Sequence, residues 1–181
     1  MNIRKALLES PVQIKSEAAK IAAYAASAPE HFGELMQCFL VNEYRLQQRA
    51  AWCVSMAVRQ NKMLIEPYIS ALVRQLARKD THNAVHRNSL RILQDIEIPE
   101  AYIGELMNAC FRFVESSQTP VAIKVFALTV LGNLAINFPE IKQEIQLLID
   151  FNIEHESPAF KARAKKVLKK LSLSAGDVRI Y

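Results

Sequence analysis

Apolar residues recur along the chain with two superimposed periods. The shorter is a helical face: Ala18, Ile21, Ala22 and Ala25 stand at i, i+3, i+4 and i+7. The same spacing returns at Ala51, Val54, Ser55 and Val58, at Ser89, Ile92, Leu93 and Ile96, at Ala127, Val130, Leu131 and Leu134, and at Ala164, Val167, Leu168 and Leu171. Each set predicts a helix with one buried stripe. The longer period is the step between sets, which is 33, 38, 38 and 37 residues, always opening on a small residue. Steps of this length are the mark of a repeat architecture.

A second family of helices reports the same register. Gly33-Glu34-Leu35-Met36 recurs as Gly104-Glu105-Leu106-Met107, 71 residues on, which equals the first two steps of the other set together. Leu72-Val73 holds the place between them, and Ile145 follows Pro139 in the last copy. Pro29, Pro67, Pro99 and Pro139 each adjoin a Glu. Proline suits a first helical turn, where its missing N–H is not needed, and an acid there meets the positive end of the helix dipole. All four are expected to start second helices, while Pro120 and Pro158 start first helices, with Pro11 a third member. The predicted map is a short helix at 2–9, repeats at about 11–42, 44–80, 83–117 and 120–154, a lone helix at 158–171, and a frayed, disordered tail at 172–181. Residues 1–171 are expected to form a single domain.

This arrangement resembles the HEAT and armadillo-type repeats. The likeness rests on paired helices at this period, the small residue in each first helix and proline at helix starts. Ala84-Val85-His86-Arg87-Asn88-Ser89 and Val121-Ala122-Ile123-Lys124-Val125-Phe126-Ala127 are similar to the HEAT pattern of an apolar residue, a base and a small residue. The family's consensus aspartate and arginine are matched in only some copies. The resemblance implies an all-α, right-handed solenoid of about four helix pairs with a C-terminal capping helix. It also implies that first helices line the convex side and second helices the concave one.

Composition narrows the chemistry. Apolar residues make up 51% of the 181, enough for a core and too many for a disordered chain. Only 4 glycines are present, none closer than 28 residues to another, so no glycine-rich phosphate loop can form. No secretory signal or spanning segment is visible. Cys38, Cys53 and Cys110, widely spaced and odd in number, suit buried thiols in a reducing compartment, so a cytoplasmic location is expected.

No catalytic, cofactor or metal site is predicted. His82 and His86 stand four apart near Asp80, but lack a third ligand and are expected on a solvated loop and helix start. His31 and His155 are isolated. Serine-hydrolase motifs are absent, and the cysteines fall on apolar faces. Some alkylation-repair DNA glycosylases have HEAT-like repeats, and Trp52 in Arg49-Ala50-Ala51-Trp52 invites comparison. However, Met56 stands where an acid would be needed one turn on, and Trp52 is the sole tryptophan.

Charge is laid out in blocks. Residues 45–91 carry nine bases and two acids, residues 92–158 three bases and ten acids, and the last segment, rich in lysine, is again basic. The leading expectation is therefore a non-catalytic scaffold or adaptor. It would bind a partner protein through Glu34, Gln37, Arg74, Arg78, Glu105, Asn108 and Arg112 on the second helices, where stacking would bring Arg78 near Arg112 and Arg74 near Asn108. Opposite charge blocks also allow head-to-tail self-association. The alternative is weak binding to a nucleic-acid backbone along Arg45, Arg49, Arg87 and Arg91, which share helical ridges.

Overall fold

The computed structural model describes residues 1–78 and 80–173, and every regular element among them is helical. The α-helices are α1 (Ile3–Glu9), α2 (Lys15–Ala26), α3 (Pro29–Leu40), α4 (Tyr44–Gln60), α5 (Ile69–Ala77), α6 (Asn83–Leu93), α7 (Glu100–Glu115), α8 (Val121–Leu134), α9 (Lys142–Asn152) and α10 (Pro158–Leu173). Most of the tail read as frayed lies outside the described residues, although Ser172 and Leu173 extend α10. Two compact units divide the chain, Met1–Glu97 and a second beginning at Ile98. No helix among the described residues is long and apolar enough to cross a membrane.

In the first unit α4 is the hub, packed against α1, α2, α3 and α6. Its stripe of Leu46, Ala50, Ala51, Val54 and Ala57 is fully buried, and Ala18 of α2 is equally so. Small residues let these helices approach closely. In the second unit α8 takes that place, against α7, α9 and α10. Its sequence, VAIKVFALTVLGNL, is apolar nearly all round, as a helix covered on several sides must be.

The prolines do not all act alike. Pro29 lies in the first turn of α3, Pro99 and Pro120 immediately precede α7 and α8, and Pro158 opens α10. Pro67 and Pro139 instead fall in the 3₁₀ segments Lys62–Tyr68 and Pro139–Ile141, ahead of α5 and α9. Pro11 sits in the bend before α2, four residues short of its first turn.

One contact in the second unit has no slack. A Cβ added to Gly132 would lie 2.9 Å from Cγ1 and 3.2 Å from Cγ2 of Val167. Val167 is buried and β-branched, so its χ1 has little freedom to yield. Gly132→Ala gains about 1 kcal/mol of helix propensity and loses about 1–3 kcal/mol to overpacking. We expect a net loss of up to about 2 kcal/mol in urea denaturation, relieved when Val167→Ala is added. A stabilised single variant would show that α8 and α10 can move apart.

Candidate functional site

The second helices bury one face and present the other. On α3, Phe32, Leu35, Met36 and Phe39 are fully buried, while Glu34 and Gln37 face solvent. Glu34 and Gln37 come together with Met1, Ile3, Arg4 and Cys38 around a hollow of about 500 Å³ between α1 and α3. Arg4 also donates to Glu43 at 2.5 Å, an exposed pair worth little energetically.

On α5, Leu72, Val73 and Leu76 turn inward and Arg74 outward, with no hydrogen bond or ion pair from Arg74 to a described residue. Arg78 follows directly after the helix and donates twice to Asp80, Nε to Oδ1 at 3.2 Å and Nη2 to Oδ2 at 2.9 Å. That fork holds the Asp80 carboxyl below its ordinary range and pushes the Arg78 guanidinium upward. The two charges offset each other, so Arg74 is the unbalanced cation of this helix. In the second unit, Glu105, Asn108 and Arg112 share the exposed side of α7, and the Arg112 guanidinium lies 5.4 Å from the centre of the Phe113 ring.

The first-helix ridge is not continuous. Arg49 is 7% exposed and donates from Nη1 to the carbonyls of Leu7 and Ser10, both at 2.7 Å, and from Nη2 to that of Pro11 at 2.6 Å. Arg45 adds bonds to the Ser10 and Pro11 carbonyls at 3.1 Å each. These carbonyls belong to the last turn of α1 and the two residues after it, where no helical N–H reaches them. Both arginines, expected on a surface ridge, are thus engaged as a cap. Arg87 is exposed and Arg91 half-buried.

Sequence reasoning passed over Arg59 and Lys62, which join Arg91, Asp95 and Ser55 around a small hollow at the ends of α4 and α6. A signal was present. Ser55 is polar at the register position that Ala22, Leu93, Leu131 and Leu168 fill elsewhere.

The remaining candidates divide. His86, expected to be solvated, is 7% exposed, and its Nε2 donates to the Gln75 carbonyl at 3.3 Å. α5 packs against α6 on the side that carries it. His82 caps α6, its Nδ1 accepting from the Ala84 N–H at 3.1 Å, and its ring meets Tyr44 edge-on. Trp52 is half-buried. The three cysteines are buried and unpaired. Burial pushes the Cys53 thiol up to about 12, against a lowering hydrogen bond from Gln13, and raises Cys38 and Cys110 also. Among the described residues no group of three or more His, Cys, Asp or Glu could hold a metal ion.

A family model described as a HEAT repeat domain matches residues 4–171. Among solved structures, the chain is similar to the crystal structure of an engineered protein, at 18% identity and a TM-score of 0.59 over 94% of this chain and 80% of that one. At that identity the likeness speaks for the fold alone. None of the curated proteins matches significantly.

Proposed function

The chain belongs to the HEAT-repeat family, and on that premise we propose that it is a non-catalytic scaffold that binds a partner protein through the exposed sides of its second helices. The observation that carries this reading is Arg74, an exposed guanidinium with no described partner on a helix whose other face is fully buried. Glu34 and Gln37 at the α1–α3 hollow, and Glu105, Asn108 and Arg112 on α7, supply further polar contacts of both signs. We take residues 1–171 as one repeat domain, with a cytoplasmic location supported by the three unpaired thiols. The opposite signs of 45–91 and 92–158 support head-to-tail self-association at high concentration. Nucleic-acid binding would draw on fewer side chains than the ridge suggested, since Arg45 and Arg49 are engaged with carbonyls.

The test is affinity capture with quantitative mass spectrometry on three chains: the wild type, a variant combining Gln37→Arg with Arg74→Glu, and Lys20→Glu as a first-helix control. Partners enriched by the wild type should be lost with the double variant and kept with the control. Recovery of no protein above background, or retention by the double variant, would sink the reading. So would tight duplex DNA binding near physiological ionic strength that disappears when Arg74, Arg78 and Arg112 are replaced together.

A further inference from the structure

The face that α9 turns to solvent departs from the pattern of the other second helices. Leu106 of α7 and Ile145 of α9 hold one register position, so Asn108 and Arg112 correspond to Leu147 and Phe151. In the α5 copy the same two positions are Arg74 and Arg78. Polar side chains thus give way to large apolar ones on α9 alone of these three. Leu147 is 62% exposed and Phe151 82%, while Ile145 and Ile149 of the same helix are fully buried. At i and i+4, Leu147 and Phe151 rise from one side of α9. Single apolar side chains at a surface are ordinary. Of the large apolar residues that stand exposed among the described residues, however, only these two share a helical face.

Charge decides what can cover them. Glu144 lies three residues before Leu147, Asp150 three after it and Glu154 three after Phe151, and all are exposed. Glu140, ahead of the helix, is exposed too. Against them stand Lys142 on α9 and Lys161 of α10, which donates to the Glu154 carbonyl at 3.3 Å. On α7, which packs against α9, Glu105 and Arg112 offset each other. The rim keeps an excess of two negative charges.

That sign repels a nucleic-acid backbone and an anionic membrane surface. A second copy docked by the same face would set these carboxylates against their own kind. An extended peptide has no strand edge to join, because every described regular element is helical. A helix laying its apolar stripe along α9 needs no such edge, and Lys or Arg beside the stripe would meet the acids. We propose that Leu147 and Phe151 anchor a docking surface for a cationic amphipathic helix of a partner protein. The inference rests on the scaffold reading, which makes the exposed sides of second helices the binding side, and it names the partner's chemistry at α9.

The test uses a fluorescent peptide of Leu and Lys in helical spacing, titrated with the full chain near physiological ionic strength and read by anisotropy. Saturable binding is expected, with amide shifts of the ¹⁵N-labelled chain centred on 143–155. Leu147→Ser with Phe151→Ser should weaken it about tenfold or more while the melting temperature holds, since neither side chain is buried. Glu144→Gln with Asp150→Asn should weaken it several-fold and flatten its salt dependence. A Leu and Glu peptide of the same spacing should not bind. The proposal fails if the double serine variant binds like the wild type, or if the Leu and Glu peptide or a shuffled Leu and Lys peptide binds as tightly. It fails equally if the chain dimerises through this face, with dimers that the double serine variant lacks. Captured partners that depend on Gln37 and Arg74, with a peptide that does not bind, would sink the α9 surface alone. Absence of any captured partner would sink the scaffold reading beneath it.

Discussion

Glu156→Leu is expected to destabilise the unit that begins at Ile98 by about 3–5 kcal/mol. Lys124 projects from α8, the most enclosed helix of that unit, and is 3% exposed. Its ammonium donates to Glu156 on the connection between α9 and α10, whose side chain is itself 12% exposed. Ion pairs at the surface contribute about 0–1 kcal/mol because water screens them and can replace either partner. Here water is excluded, so removing the carboxylate strands a charge. The converse also follows. Lys124→Met combined with Glu156→Leu removes both charges and should return to within about 1 kcal/mol of the wild type, or exceed it. Urea denaturation of the four chains gives the coupling directly. A single-variant loss below about 1 kcal/mol would mean that the Lys124 ammonium reaches water, and the pair would then be an ordinary surface contact.

Lys124 also shows where the sequence stops being legible. Periodicity identifies residues whose burial is imposed by the helical repeat. Ala18, Ala51, Ser89, Ala127 and Ala164 are all fully buried, as are Leu35, Leu72, Leu106 and Ile145. Both helix sets and the small-residue position could therefore be read before any coordinates. Polar residues obey no such rule. His86 and Lys124 stand 38 apart in one register, and both are buried, yet one bonds to a backbone carbonyl and the other to a carboxylate. Their partners lie 11 and 32 residues away, one on the preceding second helix and the other on a connection, so the repeat period does not predict them. Identical letters mislead in the same way. A side chain at Gly33 would meet the Tyr68 hydroxyl at 3.3 Å, whereas at Gly104 it would meet nothing within 4 Å. The recurring motif marks register, and the close approach belongs to one copy.

The arginines follow this logic to the other large effect. Arg49 and Arg87 are also 38 apart, but α1 packs against α4, which carries Arg49, so of these two only Arg49 finds the carbonyls of Leu7, Ser10 and Pro11. A helix of α1's length, 7 residues, is not stable alone and depends on tertiary contacts. Arg49→Met is expected to lose roughly 2–4 kcal/mol, the scale of one or two charge-assisted hydrogen bonds, with Arg45 keeping part of the cap. The loss should be local, with the amides of α1 exchanging with solvent well before those of α4. Arg49→Lys should restore less than half, because one ammonium cannot span three carbonyls held by a planar fork. Arg87→Gln, at the equivalent but exposed position, should change stability by no more than about 0.5 kcal/mol. Unchanged exchange in α1 of Arg49→Met would sink the capping role. Because α1 walls the hollow that holds Glu34 and Gln37, Arg49→Met should also weaken capture of the proposed partner. A binding assay alone would then misread Arg49 as a contact residue, and the exchange pattern separates loss of the wall from loss of a contact.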